Sequence, residues 1–146
     1  MSVYRNILLA VDFAKDSEQV VAKAQALSQQ HEAHLSLVHV VEYVPMDLAS
    51  DLVLPQEVEL EQELSDLATK RLRDLGDRLG VSETDRHLLQ GSTRGEILRL
   101  AEELDADLLV VGSHGRHGVQ LLLGSTANAV LHGAPCDVLA VRIQED

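Results

Sequence analysis

Aromatic side chains are nearly missing: two tyrosines, one phenylalanine and no tryptophan among 146 residues. Single-stranded nucleic acid is held largely by stacking bases on aromatic rings, so a stacking platform is excluded. Positive charge is scarce too, with 12 Lys and Arg against 24 Asp and Glu and a formal net charge of −12. Duplex DNA, RNA and anionic membranes all call for a basic face, and the balance argues against each. One cysteine, Cys136, leaves no internal disulfide framework and fits a reducing compartment. No apolar run nears the roughly 20 residues of a membrane span. The opening residues, Met1-Ser2-Val3-Tyr4-Arg5-Asn6, lack a signal-peptide layout. The expectation is a cytoplasmic protein with no nucleic-acid partner and no membrane insertion.

What the chain does have is aliphatic. Hydrophobic residues, mostly Leu, Val and Ala, make up 45%. At the length of one ordinary domain this suffices for a packed core without metal or cross-link. Apolar runs at 7–11, 35–41, 87–90, 108–111 and 138–143 read as strands. Helical patterns occupy 16–31, 56–79, a stretch opening at 93, and 124–132. Asp16 with Gln19, and Thr93 with Glu96, stand at capping-box spacing. Gly80 sits where a left-handed helix end is wanted, and Gly133 with Pro135 closes the last helix. In the long helix, Leu60, Leu64, Leu67, Leu72, Leu75 and Leu79 read as one core-facing stripe. Residues 43–55 form an irregular link.

Strands alternating with helices predict an α/β fold: a doubly wound, open parallel sheet with helices on both faces. Without a repeat or a compositional break, one domain over 1–146 is expected. Ligands of such sheets sit outside the strand carboxyl ends, where strand order reverses. Asp12, Val40, Gly91 and Gly112 all fall at such ends.

The chemistry concentrates behind the fourth strand, in Val110-Val111-Gly112-Ser113-His114-Gly115-Arg116-His117-Gly118 and then Gly124-Ser125-Thr126. Gly112 and Gly115 allow close approach to the backbone, and successive amides in such a turn form an anion nest. Gly124, Ser125 and Thr126 open a helix, whose amides and dipole favour phosphate. The alternative is a plain turn followed by an ordinary Ser/Thr cap. Two phosphate-type elements after one strand favour the ligand. Because the whole molecule repels an anion, main-chain dipoles, a cation or Arg116 must offset that field. Asp12 either caps the next turn or serves the ribose or a phosphate-bound magnesium. His114 and His117 lack further metal ligands nearby. His39 reads as a core or crevice residue and Cys136 as a buried thiol. No Walker lysine and no Gly-x-Ser-x-Gly elbow occur, so the pattern describes a holder of nucleotide with at most slow hydrolysis. A phospho-accepting receiver domain would need an acidic pair after the first strand and a late lysine. Asp12 stands alone there, and no lysine follows Lys70.

These segments resemble the universal stress protein family, in order and over nearly the whole chain. The likeness rests on Asn6-Ile-Leu-Leu-Ala-Val-Asp12, Leu37-Val-His-Val40, residues 106–115 and residues 134–142. Nucleotide-binding members carry G-x-x-G, a spacer and then G-[ST]. Gly112, Gly115, Gly124 and Ser125 match, with a spacer one residue shorter than in the family. The resemblance implies a five-stranded, Rossmann-like sheet in the order 3-2-1-4-5. It implies ATP or AMP as ligand, possible company from Mg2+, and phosphate contacts from the four matched residues. Asp12 would lie beside the ribose and phosphates, and the Val40 backbone beside adenine. Ala10 stands where some binders have proline. The family also holds a UspA-type branch without known nucleotide binding, and the N-terminal segment and linker look similar to it. Both branches stay open at this point. The last strand, with Val138, Leu139, Ala140, Val141 and Ile143, is apolar and suited to edge pairing. The resemblance supports a homodimer through it.

Overall fold

Apolar residues fill both faces of the first strand, β1 (Asn6–Ala10), where Ile7, Leu8 and Leu9 are fully buried. A strand buried on both sides belongs in the middle of a parallel sheet. In the computed structural model, which describes residues 3–13, 17–42, 55–113 and 125–142 (55–58, 125 and 126 as backbone only), β1 is the central strand. The elements that follow are α1 (Ser17–His31), β2 (His34–Val41), α2 (Pro55–Leu79), β3 (Arg86–Gln90), α3 (Thr93–Glu103), β4 (Leu108–Gly112), α4 (Ser125–Gly133) and β5 (Asp137–Val141). All four strand pairs are parallel, in the order β3-β2-β1-β4-β5, as the alternating pattern and the family likeness imply.

The pleat divides the core in two. Ile7, Leu9, Leu37 and Val110 point to one face and meet Val20, Val21 and Ala24 of α1 and Leu72 and Leu75 of α2. Leu8, Val38, Leu109 and Val111 point to the other and meet Ile97, Leu100 and Ala101 of α3 and Ala127 and Val130 of α4. The amino ends are clamped by Asp107. Its carboxylate accepts the Arg5 and Asn6 amides at 2.8 and 3.0 Å, and its own amide donates to the Asn6 carbonyl at 2.9 Å. This fixes β1 against β4 across about a hundred residues of chain.

The structure corrects the expected stripe of α2. Leu72 and Leu75 are buried beside Ala68, while Leu60, Leu64 and Leu67 are 55%, 49% and 44% exposed. Leucines 60, 64 and 67 follow one i, i+4, i+7 track. The buried row 68, 72 and 75 begins one residue later, about 100° around the helix. The leucines of α2 therefore occupy two faces, not one.

The N-cap of α3 is also displaced by one residue. Ser92 is extended and accepts from the Gly95 amide, while Thr93 is already helical and donates to Glu42 at 3.1 Å. A one-turn 3-10 helix (Glu83–Asp85), not foreseen, precedes β3. Cys136 is only half-buried, and burial pushes its thiol up from the ordinary value, aided by Asp137 and Asp107. Gly80 takes φ +70° after α2, as the C-cap position requires. Asp16, Ile143 and most of the expected 43–55 link fall outside the described residues.

The end of α2 is held from outside the helix. The Arg86 guanidinium crosses Gly76 and donates to the Val81 carbonyl from Nε at 2.9 Å and Nη2 at 2.6 Å. It also pairs with Asp77 at 2.9 Å, and its side chain is only 12% exposed. The missing side chain of Gly76 makes the space for this contact.

Candidate functional site

The carboxyl ends of β2, β1 and β4 make a notch. Ala10 pairs with Val38 and Leu9 with Val110, so continued pairing would set Asp12 against Val40 and Val11 against Gly112. β1 stops before that. The Val11 amide donates to Val38 at 2.9 Å, and Phe13 then takes φ +58°, turning the chain out of the sheet. Main-chain groups alternate sides along a strand. Val41 accepts from Gly91 on the β3 side, so the backbone groups of Val40 face the β1 side. Ser113 donates to Val141 on the β5 side at 2.9 Å, so those of Gly112 also face β1. Two sets of peptide groups therefore flank Asp12 where the central strand has run out.

The turn at Asp12 is propped from behind. His39 is buried on β2, and its Nδ1 lies 2.6 Å from the Val11 carbonyl. A carbonyl only accepts, so Nδ1 carries the proton and donates. The Phe13 ring packs on the His39 imidazole with centroids 4.7 Å apart. His39 is thus the satisfied crevice residue its strand position suggested. The part played by Phe13 was not read from sequence. A bulky residue at positive φ gives no compositional signal.

Ala10 is half-buried at the last position of β1, and Asp12 is half-buried two residues on. Val40 is buried, its side chain in the α3-facing core, which leaves its backbone to face the notch. Gly112 is the last residue of β4 and does not adopt the left-handed conformation, which among described glycines belongs to Gly80 and Gly91. Ser113 is buried, and its amide is engaged with β5. The α4 helix begins at Ser125, on the return path from the carboxyl end of β4. Gly115, Arg116 and Gly124, with His114 and His117, lie outside the described residues, and Ser125 and Thr126 are placed by backbone alone.

One basic residue not singled out from sequence stands at this end. Arg142 follows β5 directly and, with Gly112 paired to Val141, falls in register beside Ser113. Three of the other arginines are committed elsewhere: Arg78 to Glu18, Arg86 to Asp77, and Arg99 to Glu96 and Glu103. Among the described residues no group of three His, Cys, Asp or Glu could hold a metal ion. A cation at Asp12 would need ligand phosphates to complete its shell, a mode magnesium uses readily. A separate cavity of about 190 Å³ opens at the opposite end of the sheet, between Asn6, His34, Ser36 and Asp85. Among the described residues no helix is long and apolar enough to cross a membrane.

Comparison with known proteins agrees with this architecture. The chain is 41% identical over 142 residues to universal stress protein A homolog 1 of Coxiella burnetii, covering 97% of this chain and 99% of that one. It is 42% identical over 145 residues to homolog 2 of the same organism, covering 99% of each. Among solved structures, universal stress protein UspA from Lactobacillus plantarum superposes with a TM-score of 0.81 at 25% identity, covering 99% of this chain and all of that one. A universal stress protein in complex with cAMP superposes with a TM-score of 0.66 at 22% identity, covering 98% of this chain and 100% of that one. The model of the universal stress protein family matches residues 3–142, and the chain belongs to that family.

Proposed function

We propose that this chain is a cytoplasmic, single-domain stress-response module that binds an adenine nucleotide, ATP or AMP, at the notch above β1. The observation that carries this reading is the early end of the central strand. It leaves the Val40 and Gly112 main chains on either side of Asp12, with the amino end of α4 following the same β4. Peptide groups beside Val40 suit the edge of a purine, and Ala10 leaves room at the floor. Asp12 serves the ribose, or Mg2+ bridged to phosphate. Gly112, Gly115, Gly124, Ser125 and Thr126 supply amides and hydroxyls for the phosphates. Arg116 adds a cation against the molecule's negative field. Ser113 contributes by tying the loop to β5. The fold relative that holds cAMP supports a purine nucleotide as the ligand class. With no lysine in the phosphate loop, binding rather than fast turnover is the output.

A second reading, a UspA-type dimer without nucleotide, draws on the two Coxiella relatives named for universal stress protein A and on the shortened spacer. One experiment separates the two. Purified protein is denatured and the released small molecules are chromatographed, then ATP and AMP are titrated calorimetrically into wild type and Gly115→Val. The binding reading expects adenine nucleotide in the supernatant and affinity at least about tenfold weaker in the variant, a loss of ~1.4 kcal/mol. Absence of released nucleotide together with no heat from either ligand would establish the second reading instead.

A further inference from the structure

The exposed leucines of α2 lie on a helix whose charges are acidic in its first half and mostly basic in its second, where Asp74 and the Arg86-paired Asp77 are the exceptions. Glu59, Glu61, Glu63 and Asp66 occupy the first half and Lys70, Arg71 and Arg73 the second, all of them exposed. Among the described residues none of these seven takes part in an ion pair within the chain. Leu60, Leu64 and Leu67 lie within and just after the acidic half, on one face, each about half exposed. The adjoining face, about 100° around the helix, with Ala68, Leu72 and Leu75, is already buried against the sheet.

We propose that this face is a self-association surface on which α2 packs antiparallel against α2 of a second copy. Direction follows from charge. A parallel pair would set the acidic halves side by side, whereas an antiparallel pair sets each acidic half on the partner's basic half. Register follows from the leucines. A two-fold axis between Leu64 and Leu67 stacks Leu64 on the partner's Leu67. It also lays the aliphatic stem of Arg71 over the partner's Leu60, with the guanidinium reaching the Glu61 region. Such a contact is isologous, since each copy presents the same patch. It involves neither the nucleotide notch nor β5, so it stands whatever becomes of those readings.

The test uses disulfide trapping and sedimentation on the full chain. In a Cys136→Ser background, Leu64→Cys and Leu67→Cys proteins are prepared separately, mixed and oxidised. Antiparallel packing gives the mixed 64–67 disulfide in excess over either homodisulfide. Homodisulfides alone, or none, would overturn the proposal. Sedimentation equilibrium then compares wild type with Leu64→Glu. The expected result is self-association at least about tenfold weaker in the variant, with unchanged thermal unfolding. Wild-type association should also weaken as salt rises from about 0.05 to 0.5 M. If Leu64→Glu lowers the unfolding temperature and leaves association untouched, the leucines are covered within the chain, and the second copy is the wrong occupant.

Discussion

His87 is a histidine whose chemistry is set by burial. It sits on β3 in register with Val38, and its Nε2 is buried without a hydrogen-bond partner. Burial lowers its pKa below the ordinary histidine value, and the nearby Asp85 and Glu103 only partly oppose this. The unfolded chain therefore binds the proton more readily than the folded one. The neutral form contributes its stability above the ordinary value of about 6.5. That contribution is lost as pH falls from there through the lowered folded value. Urea unfolding at a series of pH values should show wild type losing stability on acidification through this window more steeply than His87→Leu. Parallel curves for the two proteins would show that His87 contributes nothing to the slope. None of this was legible in the sequence, where His87 simply opens a short strand. The role of His39 was legible in outline, because a histidine inside an apolar strand must satisfy its ring. Its partner, the Val11 carbonyl, was not, because it depends on where Phe13 turns.

At the scale of elements, periodicity located every described strand and α-helix but could not assign the faces of α2. Six leucines at near-helical spacing look like one stripe. Only the sheet decides that the row through Ala68 is the buried one. Gly76 carries a similar lesson. A glycine inside an exposed helix looks like a defect, and replacing it with alanine ordinarily gains about 0.5–1 kcal/mol. Here the Arg86 guanidinium occupies the space a methyl group would need. Its two bonds to the Val81 carbonyl and its pair with Asp77 tie the end of α2 to β3. Gly76→Ala is expected to reverse the usual sign and destabilise by about 1–3 kcal/mol in chemical denaturation, the cost of overpacking. A gain in stability would mean that Arg86 swings away cheaply. The candidate site was half legible for a related reason. Strand ends can be read from the sequence, but the early departure of β1 from the sheet arises from the left-handed Phe13.

Across the molecule, β5 is an edge strand, paired among the described residues with β4 alone. Its residues alternate in role. Val141 accepts from Ser113 on the β4 side, so the peptide groups of Val141 and Leu139 serve the ladder, while those of Ala140 and Val138 face outward. Val141 is also buried in the core facing α1, so a glutamate there would damage the fold rather than report on assembly. If β5 pairs with a second copy, Ala140→Pro removes an outward amide and leaves the β4 ladder intact. In a Leu64→Glu background, which removes the α2 contact, a folded monomer by sedimentation, with wild-type circular dichroism, is the expected outcome. A dimer unaffected by the change would move the contact away from this edge.

The Asp107 clamp on Arg5 and Asn6 has a consequence for synthesis. Of the five strands, the innermost is translated before the others. One of its flanks is covered early, by β2, and the other waits until residue 108 has been translated. Until then the nascent protein exposes the unpaired backbone groups along one flank of β1 to its surroundings. The hundred-residue separation across that seam also places its closure late, among the slow, non-local events of folding.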